Sequence, residues 1–347
     1  MFSENGPTYV IAEIGANHNG DIELAKRMID SAKAAGANAA KFQSWDSTIF
    51  SKSVYEQNYF LGDDYRNRTD FDLKGIVEEF AVTFEEMKEI AAYCQEVGID
   101  FASTPFNRRQ VQELVDLGAP FVKIASMDID NVQLLHVAGE TGLPVVLSTG
   151  FAQLAEIDRA VRWVEETGNH DITILHCISL YPPQDEEVNL DNMDMLREAF
   201  GYPVGFSDHT MGTEISIASI AKRAAILEKH FTLDQNMFGW DHKISSTPEQ
   251  IRDICVARDR LAKALGSKRR TVGARELERR AEYRRSIVSA RPIARGSILT
   301  AEDIDFRRPG TGLTPPYIEL VVGMRAVRDI EEDSLLTLAD LESAEGK

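Results

Sequence analysis

The chain has 347 residues, of which 43 % are hydrophobic, and its formal net charge is −18 at pH 7. This length allows one large domain and a smaller one, and the composition supports a sizeable core. The acidic charge argues against nucleic acid or an anionic membrane surface as a partner, and no apolar run reaches the about eighteen residues that indicate a transmembrane helix. The first ten residues do not resemble a signal peptide, and the three widely spaced cysteines, Cys94, Cys177 and Cys255, indicate free thiols in a reducing cytoplasm.

Short apolar runs alternate with amphipathic segments through the first 265 residues. The eight predicted strands are residues 9–15, 38–44, 100–106, 121–126, 144–150, 171–177, 202–210 and 224–232. The predicted helices are residues 22–35, 83–97, 108–117, 132–141, 154–167, 193–200, 213–223 and 247–265. This pattern predicts an α/β fold, a (β/α)8 TIM barrel over residues 1–265, because an open doubly wound sheet rarely repeats eight times so evenly.

Two stretches depart from this alternation. Residues 45–82 are rich in Tyr, Phe, Asp and Arg with weak periodicity, and a loop of that length predicts a lid or a binding element. Residues 266–283 are basic and predict a linker. Residues 284–347 then predict a small β-rich domain, with short strands at 286–291, 293–299 and 305–312.

Polar side chains recur where the predicted strands end. They are Glu13, Lys41, Gln43, Ser103, Lys123, Ser126, Ser148, His176, Ser207, His209, Glu228 and His230. The C-terminal strand ends of a barrel form one face, and that face carries the active site. The sequence therefore predicts an active site built from several strands.

His209 and His230 close two consecutive strands that are joined by one helix. Such a crossover makes the strands parallel, so both imidazoles emerge at the same end of the sheet, within reach of one ion. We expect a divalent metal there, Mn²⁺ first, with Mg²⁺ or Co²⁺ as alternatives. The competing interpretation is a pair of hydrogen-bonded core histidines.

Lys41 and Lys123 are cations in otherwise apolar strands. Burying them is costly unless an anion pairs with each, and nearby serine hydroxyls could donate to the same anion. The alternative is that the lysines form internal ion pairs with Glu13 or Glu228.

The ordered motifs resemble the sialic acid synthase family, whose small domain is similar to type III antifreeze protein and is called SAF. The matching stretches are Ala12–Gly20, Lys41–Gln43, Ser103–Phe106, Lys123–Ser126, Leu147–Gly150, His176–Cys177, Tyr181–Pro182, Ser207–Thr210, Glu228–Thr232 and Arg308–Gly312. The resemblance covers nearly the whole chain. It implies a synthase that joins phosphoenolpyruvate to an N-acylated amino sugar and makes a nonulosonic acid.

The resemblance also implies roles for individual residues. The catalytic set is Glu13, His209, His230 and Asp241, with His209 and His230 as metal ligands. The phosphoenolpyruvate set is Lys41, Lys123, Ser126, Ser148, Ser179 and Ser207, where Ser179 replaces an asparagine usual in the family. The sugar set is Gln43, Asp128, Tyr181, Asp241 and Arg308. The family also forms a domain-swapped homodimer, in which Arg308 would reach the partner's barrel.

Two departures from the family pattern leave the sugar open. Met127–Asp128 stands where many members have Gly-Glu, and no role follows for His242–Lys243. The resemblance therefore does not fix the amino sugar or its phosphorylation. Two other classes of function remain as alternatives, a Schiff-base keto-acid aldolase and a non-catalytic carbohydrate-binding protein.

Overall fold

Eight parallel strands form the first part of the molecule. The computed structural model describes residues 1–53 and 73–344. The strands are β1 (Tyr9–Gly15), β2 (Ala39–Gln43), β3 (Asp100–Thr104), β4 (Val122–Ile124), β5 (Val145–Ser148), β6 (Ile172–Cys177), β7 (Val204–Asp208) and β8 (Ile226–His230). Their order, β3-β2-β1-β8-β7-β6-β5-β4, places the first strand beside the last. The predicted TIM-barrel class is confirmed.

Helices follow the strands around this sheet. They are Ile22–Ala35, Leu73–Phe80, Phe84–Val97, Arg108–Asp116, Val132–Glu140, Leu154–Glu165, Asp185–Val188, Asn192–Phe200, Glu214–Ala221 and Pro248–Ala264. Local sequence sets their ends: the Asp21 carboxylate accepts from two amides of the first turn, and Gly36 ends that helix at φ 95°. Among the described residues, no helix is long and apolar enough to cross a membrane.

The core has two layers, as the strand alternation requires. One cluster packs the outer faces of the strands against the helices, with Met28, Phe42 and Leu135 fully buried. A smaller cluster fills the lower part of the barrel, where Phe2 packs with Ile11 and Phe121. The upper part of the barrel is left to polar side chains.

The predicted insertion, residues 45–82, is only partly described. Its described parts include a 3₁₀ turn, Ser47–Ile49, and the helix Leu73–Phe80. Trp45 and Phe80 are buried in an apolar cluster with Ala16. Residues 54–72 lie outside the described residues, so the lid or binding role stays a prediction.

The chain divides into two compact units, Met1–Gly266 and Ser267–Lys347. The predicted linker contains a helix, Ala274–Tyr283, because its arginines alternate with strong helix formers such as glutamate. Beyond it lie the short strands β9 (Ser286–Ser289), β10 (Ile304–Arg307), β11 (Arg325–Ala326) and β12 (Leu341–Glu342), in two antiparallel pairs. The predicted strand at 293–299 forms only isolated bridges, at Ile293 and Ile298.

The second unit contains an internal repeat that the sequence reading missed. Arg291 pairs with Asp303 at 2.7 Å, and Arg328 pairs with Asp340 at 2.7 Å, both twelve residues apart. Each aspartate also caps a 3₁₀ turn that begins after a threonine. The repeat therefore builds the same turn twice.

Candidate active site

The period of two along a strand decides which side chains enter the barrel. On β8, Glu228 and His230 face inward, whereas Lys229 faces outward and pairs with Asp208 at 2.9 Å. All of these side chains are buried. The inner face at the C-terminal end is therefore polar, while the outer face holds its own ion pair.

Two carboxylates and two lysines form the centre of the polar interior. Lys41 Nζ lies 2.7 Å from Glu13 Oε2 and 3.5 Å from Glu228 Oε2. Lys123 Nζ lies 3.6 Å from Glu228 Oε1, to which the Ser207 hydroxyl donates at 2.9 Å. The internal ion pairs that the sequence analysis set against an anion site are thus present.

The carboxyl groups of Glu13 and Glu228 titrate very differently. Burial raises the pKa of Glu13 to about 7, against the opposing effect of Lys41. Burial also acts on Glu228, but Lys123 and Lys41 outweigh it and lower its pKa to about 2. Glu13 is therefore the carboxyl group suited to proton transfer near neutral pH.

The two lysines also differ. Burial lowers the pKa of Lys123. For Lys41 burial acts in the same sense, but Glu13 and Glu228 outweigh it and raise the pKa. Lys41 is the firmly charged member, and Lys123 is the one whose charge gains most from an added anion.

Serine hydroxyls form a cradle beside the lysines, around Gly150. The Gly150 amide donates to Ser126 Oγ at 3.0 Å. A Cβ at position 150 would lie 2.0 Å from Ser179 Oγ, so only glycine allows this approach. In the described part of the chain, the buried Ser148 hydroxyl has no hydrogen-bond partner. The cradle offers donors that a bound anion could use.

His209 and His230 lie side by side, with ring centroids 5.4 Å apart. His209 Nδ1 is 2.7 Å from the carbonyl oxygen of Ile178, which leaves Nε2 for a ligand. Tyr181 stacks on His209 with centroids 4.1 Å apart. The two imidazoles therefore lie at the same end of the sheet, as the sequence analysis predicted.

The histidine pair fits a metal ion with an incomplete protein shell. Burial lowers the pKa of His209, and burial with the neighbouring His209 lowers that of His230, so both rings are neutral, the form that binds metal. The buried Nδ1 of His230 has no hydrogen-bond partner among residues 1–53 and 73–344. Within the same residues no group of three acidic, histidine or cysteine side chains is arranged to hold a metal ion, so the protein ligands would be the two histidines alone.

Asp241 borders this pair, and Gln43 borders Glu13. Asp241 Oδ2 lies 3.6 Å from His230 Nδ1, and burial raises the pKa of Asp241 to about 7. Gln43 Nε2 donates to Glu13 Oε1 at 3.1 Å. Both residues predicted for the sugar thus lie next to predicted catalytic groups.

The remaining predicted sugar residues are placed differently. Asp128 follows β4 and accepts from the Asn131 side chain at 3.0 Å, while its other oxygen is buried. Tyr181 is half exposed although it stacks on a histidine. Arg308 lies in the second unit, with its guanidinium 5.1 Å from the Tyr283 ring. The two residues to which the sequence gave no role, His242 and Lys243, lie in different environments. His242 is buried and bonds Thr232 Oγ1 at 2.6 Å, whereas Lys243 is exposed.

Two strand-end residues from the sequence analysis face away from the site. His176 Nε2 bonds the Val188 carbonyl at 2.6 Å, and the ring lines a lateral cavity of about 380 Å³ outside the barrel wall. Ser103 bonds Ser44 at 2.7 Å. Each is one position out of phase with an inward residue, because successive side chains alternate.

The same period identifies inward residues that the sequence reading left out of the site. Thr104 Oγ1 accepts from Lys41 Nζ at 2.9 Å, and Cys177 Sγ lies 3.5 Å from Ser126 Oγ. Glu228 was predicted to lie on the active-site face but received no role there, and it contacts both lysines. The alternation of side chains along each strand was the sequence signal that could have identified these inward-facing residues.

Comparison with known proteins agrees with this fold. A model of the NeuB family matches residues 28–270, and a SAF domain model matches residues 284–342. The chain is 35 % identical to N,N'-diacetyllegionaminic acid synthase of Campylobacter jejuni, over 95 % of this chain and 98 % of that protein. It is 33 % identical to the synthase of the same name from Legionella pneumophila, over 96 % and 95 %.

A solved structure shows the same likeness. N-acetylneuraminic acid synthetase from Leptospira borgpetersenii, in complex with citrate, is 34 % identical with a TM-score of 0.69, over 79 % of this chain and 90 % of that one. Fold and site together define an enzyme of the sialic acid synthase class. The chain belongs to the NeuB family, with a SAF domain at its C-terminal end.

Proposed function

We propose that this enzyme condenses phosphoenolpyruvate with the open-chain aldehyde of an N-acylated amino sugar. Water is the third reactant, and a nine-carbon 2-keto acid and phosphate are the products. The observation that carries the proposal is the meeting of Lys41 and Lys123 with His209 and His230 inside one barrel end. The two lysines suit the binding of anionic phosphoenolpyruvate, and the two imidazoles suit the activation of the aldehyde carbonyl.

Phosphoenolpyruvate would bind at the lysines and the serine cradle. Its phosphate and carboxylate would give Lys123 a second anionic partner besides Glu228, which lies 3.6 Å away. Ser126, Ser148 and Ser179 supply hydroxyls around Gly150. Bound anion would raise the pKa of Lys123 and replace part of its ion pair with Glu228.

His209 and His230 would hold a divalent ion, with Mn²⁺ as the first choice. Such an ion acts as a Lewis acid that polarises the aldehyde oxygen. Tyr181, stacked on His209, limits the orientation of that ring. The two histidines would therefore hold the aldehyde end of the sugar beside the phosphoenolpyruvate site.

The bond changes follow from the two substrates. The enol C3 attacks the aldehyde carbon, the aldehyde oxygen gains a proton, and water adds at C2. The C2–O bond to phosphate then breaks while the added hydroxyl passes its remaining proton to the leaving phosphate and becomes the keto oxygen, so the bridging oxygen leaves with phosphate. Asp241 adjoins His230 and Glu13 adjoins Lys41, so we assign Asp241 to the proton at the aldehyde oxygen and Glu13 to the water. Both carboxyl groups have pKa values raised to about 7, which suits these transfers.

The sugar would lie between Gln43, Asp128 and Tyr181 at the mouth of the barrel. Following the family resemblance, we propose a domain-swapped homodimer in which Arg308 of one chain holds the acyl group in the other. Two relatives are named N,N'-diacetyllegionaminic acid synthases, so the amino-sugar precursor of that acid is the first sugar to test. N-acetylmannosamine and its 6-phosphate come next.

The decisive experiment combines product mass with an isotope label. Each sugar is incubated with Mn²⁺ and phosphoenolpyruvate that carries ¹⁸O in the bridging position. We expect a nine-carbon keto acid from one sugar, with the label in the released phosphate. Release of phosphate without a sugar-derived acid, or label in the acid, would contradict the proposal.

A Schiff-base aldolase is the second candidate, because the lowered pKa of Lys123 favours a neutral amine nucleophile. Borohydride reduction in the presence of pyruvate distinguishes the two reactions. We expect no covalent adduct at Lys123, since our proposal gives this lysine an ionic role. An adduct of pyruvate mass at that residue would favour the aldolase.

A further inference from the structure

Asp241 lies in the segment between β8 and the helix Pro248–Ala264, and a ring of side-chain hydrogen bonds holds its backbone. The Asp241 amide donates to Asn17 Oδ1 at 3.1 Å. Asn17 Nδ2 donates to Ser245 Oγ at 2.9 Å, and Ser245 Oγ donates to the Asp241 carbonyl at 2.6 Å. The backbone N–H and the backbone C=O of Asp241 are therefore each held by a side chain, and these two side chains also bond each other.

The same ring is tied to the end of β8. Asn17 Nδ2 also donates to the carbonyl of Phe231, at 3.0 Å, directly after His230. Asn17 is fully buried and Ser245 is 1 % exposed, so solvent does not compete for these bonds. Asn17 thus connects three points: the loop after β1, the end of β8, and the backbone of Asp241.

A neighbouring contact holds the same segment from the other side. Asn19 Nδ2 donates to the Phe238 carbonyl at 2.7 Å. Gly239 adopts φ 151° against Asn19, where a Cβ would collide with the Asn19 side chain. The segment before Asp241 therefore packs on the loop after β1, and the sequence analysis gave the residues of that loop no role.

We propose that Asn17 and Ser245 are positioning residues that fix the backbone of Asp241, so that its carboxyl group stays beside His230. Among the described residues, the side-chain hydrogen bonds of Asn17 and Ser245 reach the Asp241 backbone, the Phe231 carbonyl and each other, and none goes to His209 or to the serine cradle. This inference rests on the proposed function where it concerns catalysis. The geometric part, that the ring holds the segment 238–246, stands independently of the reaction.

The chain offers a matched control at the opposite end of the barrel. Asn169 is also buried, and its Nδ2 donates to the carbonyls of Gly139 and Leu143 at 3.2 and 2.8 Å. Its Oδ1 accepts from the Asp171 amide at 2.9 Å. Asn169→Ala therefore removes the same kinds of bond as Asn17→Ala, just before β6 and away from the site.

The test compares Asn17→Ala and Ser245→Ala with Asn169→Ala, each with Asp241 intact and in an Asp241→Asn background. With Asp241 intact, we expect Asn17→Ala and Ser245→Ala to lower kcat about 10- to 100-fold and to leave the KM for phosphoenolpyruvate unchanged. In the Asp241→Asn background the same replacements should change kcat less than about threefold, because coupled residues are not additive. Equal losses in both backgrounds, or an equal loss for Asn169→Ala, would overturn the proposal.

Hydrogen exchange followed by mass spectrometry supplies a readout that needs no turnover. Asn17→Ala and Ser245→Ala should speed amide exchange in residues 238–246, whereas Asn169→Ala should leave that segment protected. Unchanged exchange in the first two variants would overturn the ring as a positioning device. If wild type and Asn169→Ala release no phosphate with any sugar, the proposed function fails, and the exchange result still decides the ring.

Discussion

Lys123 Nζ lies 3.6 Å from Glu228 Oε1, and both side chains are buried inside the barrel at 4 % and 8 % exposure. The distance is longer than a direct hydrogen bond. Lys123 instead donates to the adjacent Ile124 carbonyl at 3.0 Å. The lysine is thus only partly compensated by protein groups, which is the arrangement expected of a cation that receives an anionic substrate.

Lys123→Met should therefore weaken phosphoenolpyruvate binding specifically. Loss of a charge-assisted contact in a dry site costs about 1.5–3 kcal/mol, which is a rise in KM of roughly 10- to 150-fold. Steady-state kinetics with each substrate varied in turn checks this. Lys26→Met, which removes a surface lysine paired with Glu23 and Glu89, is the control. A changed sugar KM with an unchanged phosphoenolpyruvate KM would mean that the anion lies elsewhere.

His230→Ala should abolish metal binding as well as turnover. Calorimetric titration of chelator-treated protein with Mn²⁺ measures binding directly, and added Mn²⁺ should restore activity in wild type but not in His230→Ala. His176→Ala is the matched control, because that buried imidazole bonds the Val188 carbonyl outside the barrel wall. Full turnover in excess chelator would contradict the metal assignment.

Hybrid dimers test the proposed position of Arg308. Chains with Arg308→Ala are mixed with chains with His230→Ala, each expected to be nearly inactive alone. If the arginine serves the partner's barrel, one barrel in each hybrid has an intact Arg308 and an intact His230, and about half the activity per dimer returns. Hybrids verified by mass that stay inactive would assign Arg308 to its own chain.

The paired turns of the second unit predict a loss of stability in acid. Burial alone would raise the pKa of Asp303, but the Thr300 backbone and Arg291 lower it, and Thr337 and Arg328 do the same for Asp340. A lowered folded-state pKa stabilises the fold above the unfolded value of about 3.9, and this contribution is lost as the pH falls below that value.

Asp303→Asn and Asp340→Asn should therefore destabilise the second unit at pH 6, and the difference from wild type should shrink as the pH falls below the unfolded value of about 3.9. Hydrogen exchange of peptides from residues 284–342 reports the difference. Glu302→Gln changes an adjacent carboxyl group whose side chain is 85 % exposed and serves as the control. A deficit that persists unchanged at low pH would show that the carboxylate charge is not responsible.

Local sequence was sufficient to predict the barrel class and most of its strands. Apolar runs, helix caps such as Asp21 and stops such as Gly36 act within a few residues, so their effect is readable along the chain. The same locality explains the pairing of His209 with His230, since one crossover joins them. The alternation of side chains along a strand is equally local, and it would have placed His176 on the outer face of the barrel.

Contacts between distant parts of the chain depended on the tertiary structure. Glu228 reaches Lys41 and Lys123 only because the strands twist and bring β8 beside β1 in a nearly closed barrel. Asn17 meets Ser245 across 228 positions of sequence for the same reason. The amino acids determine which groups are available and on which strand face they lie. Only barrel closure decides which of those groups share a proton, an ion or a hydrogen bond, because such interactions act over a few ångströms in space.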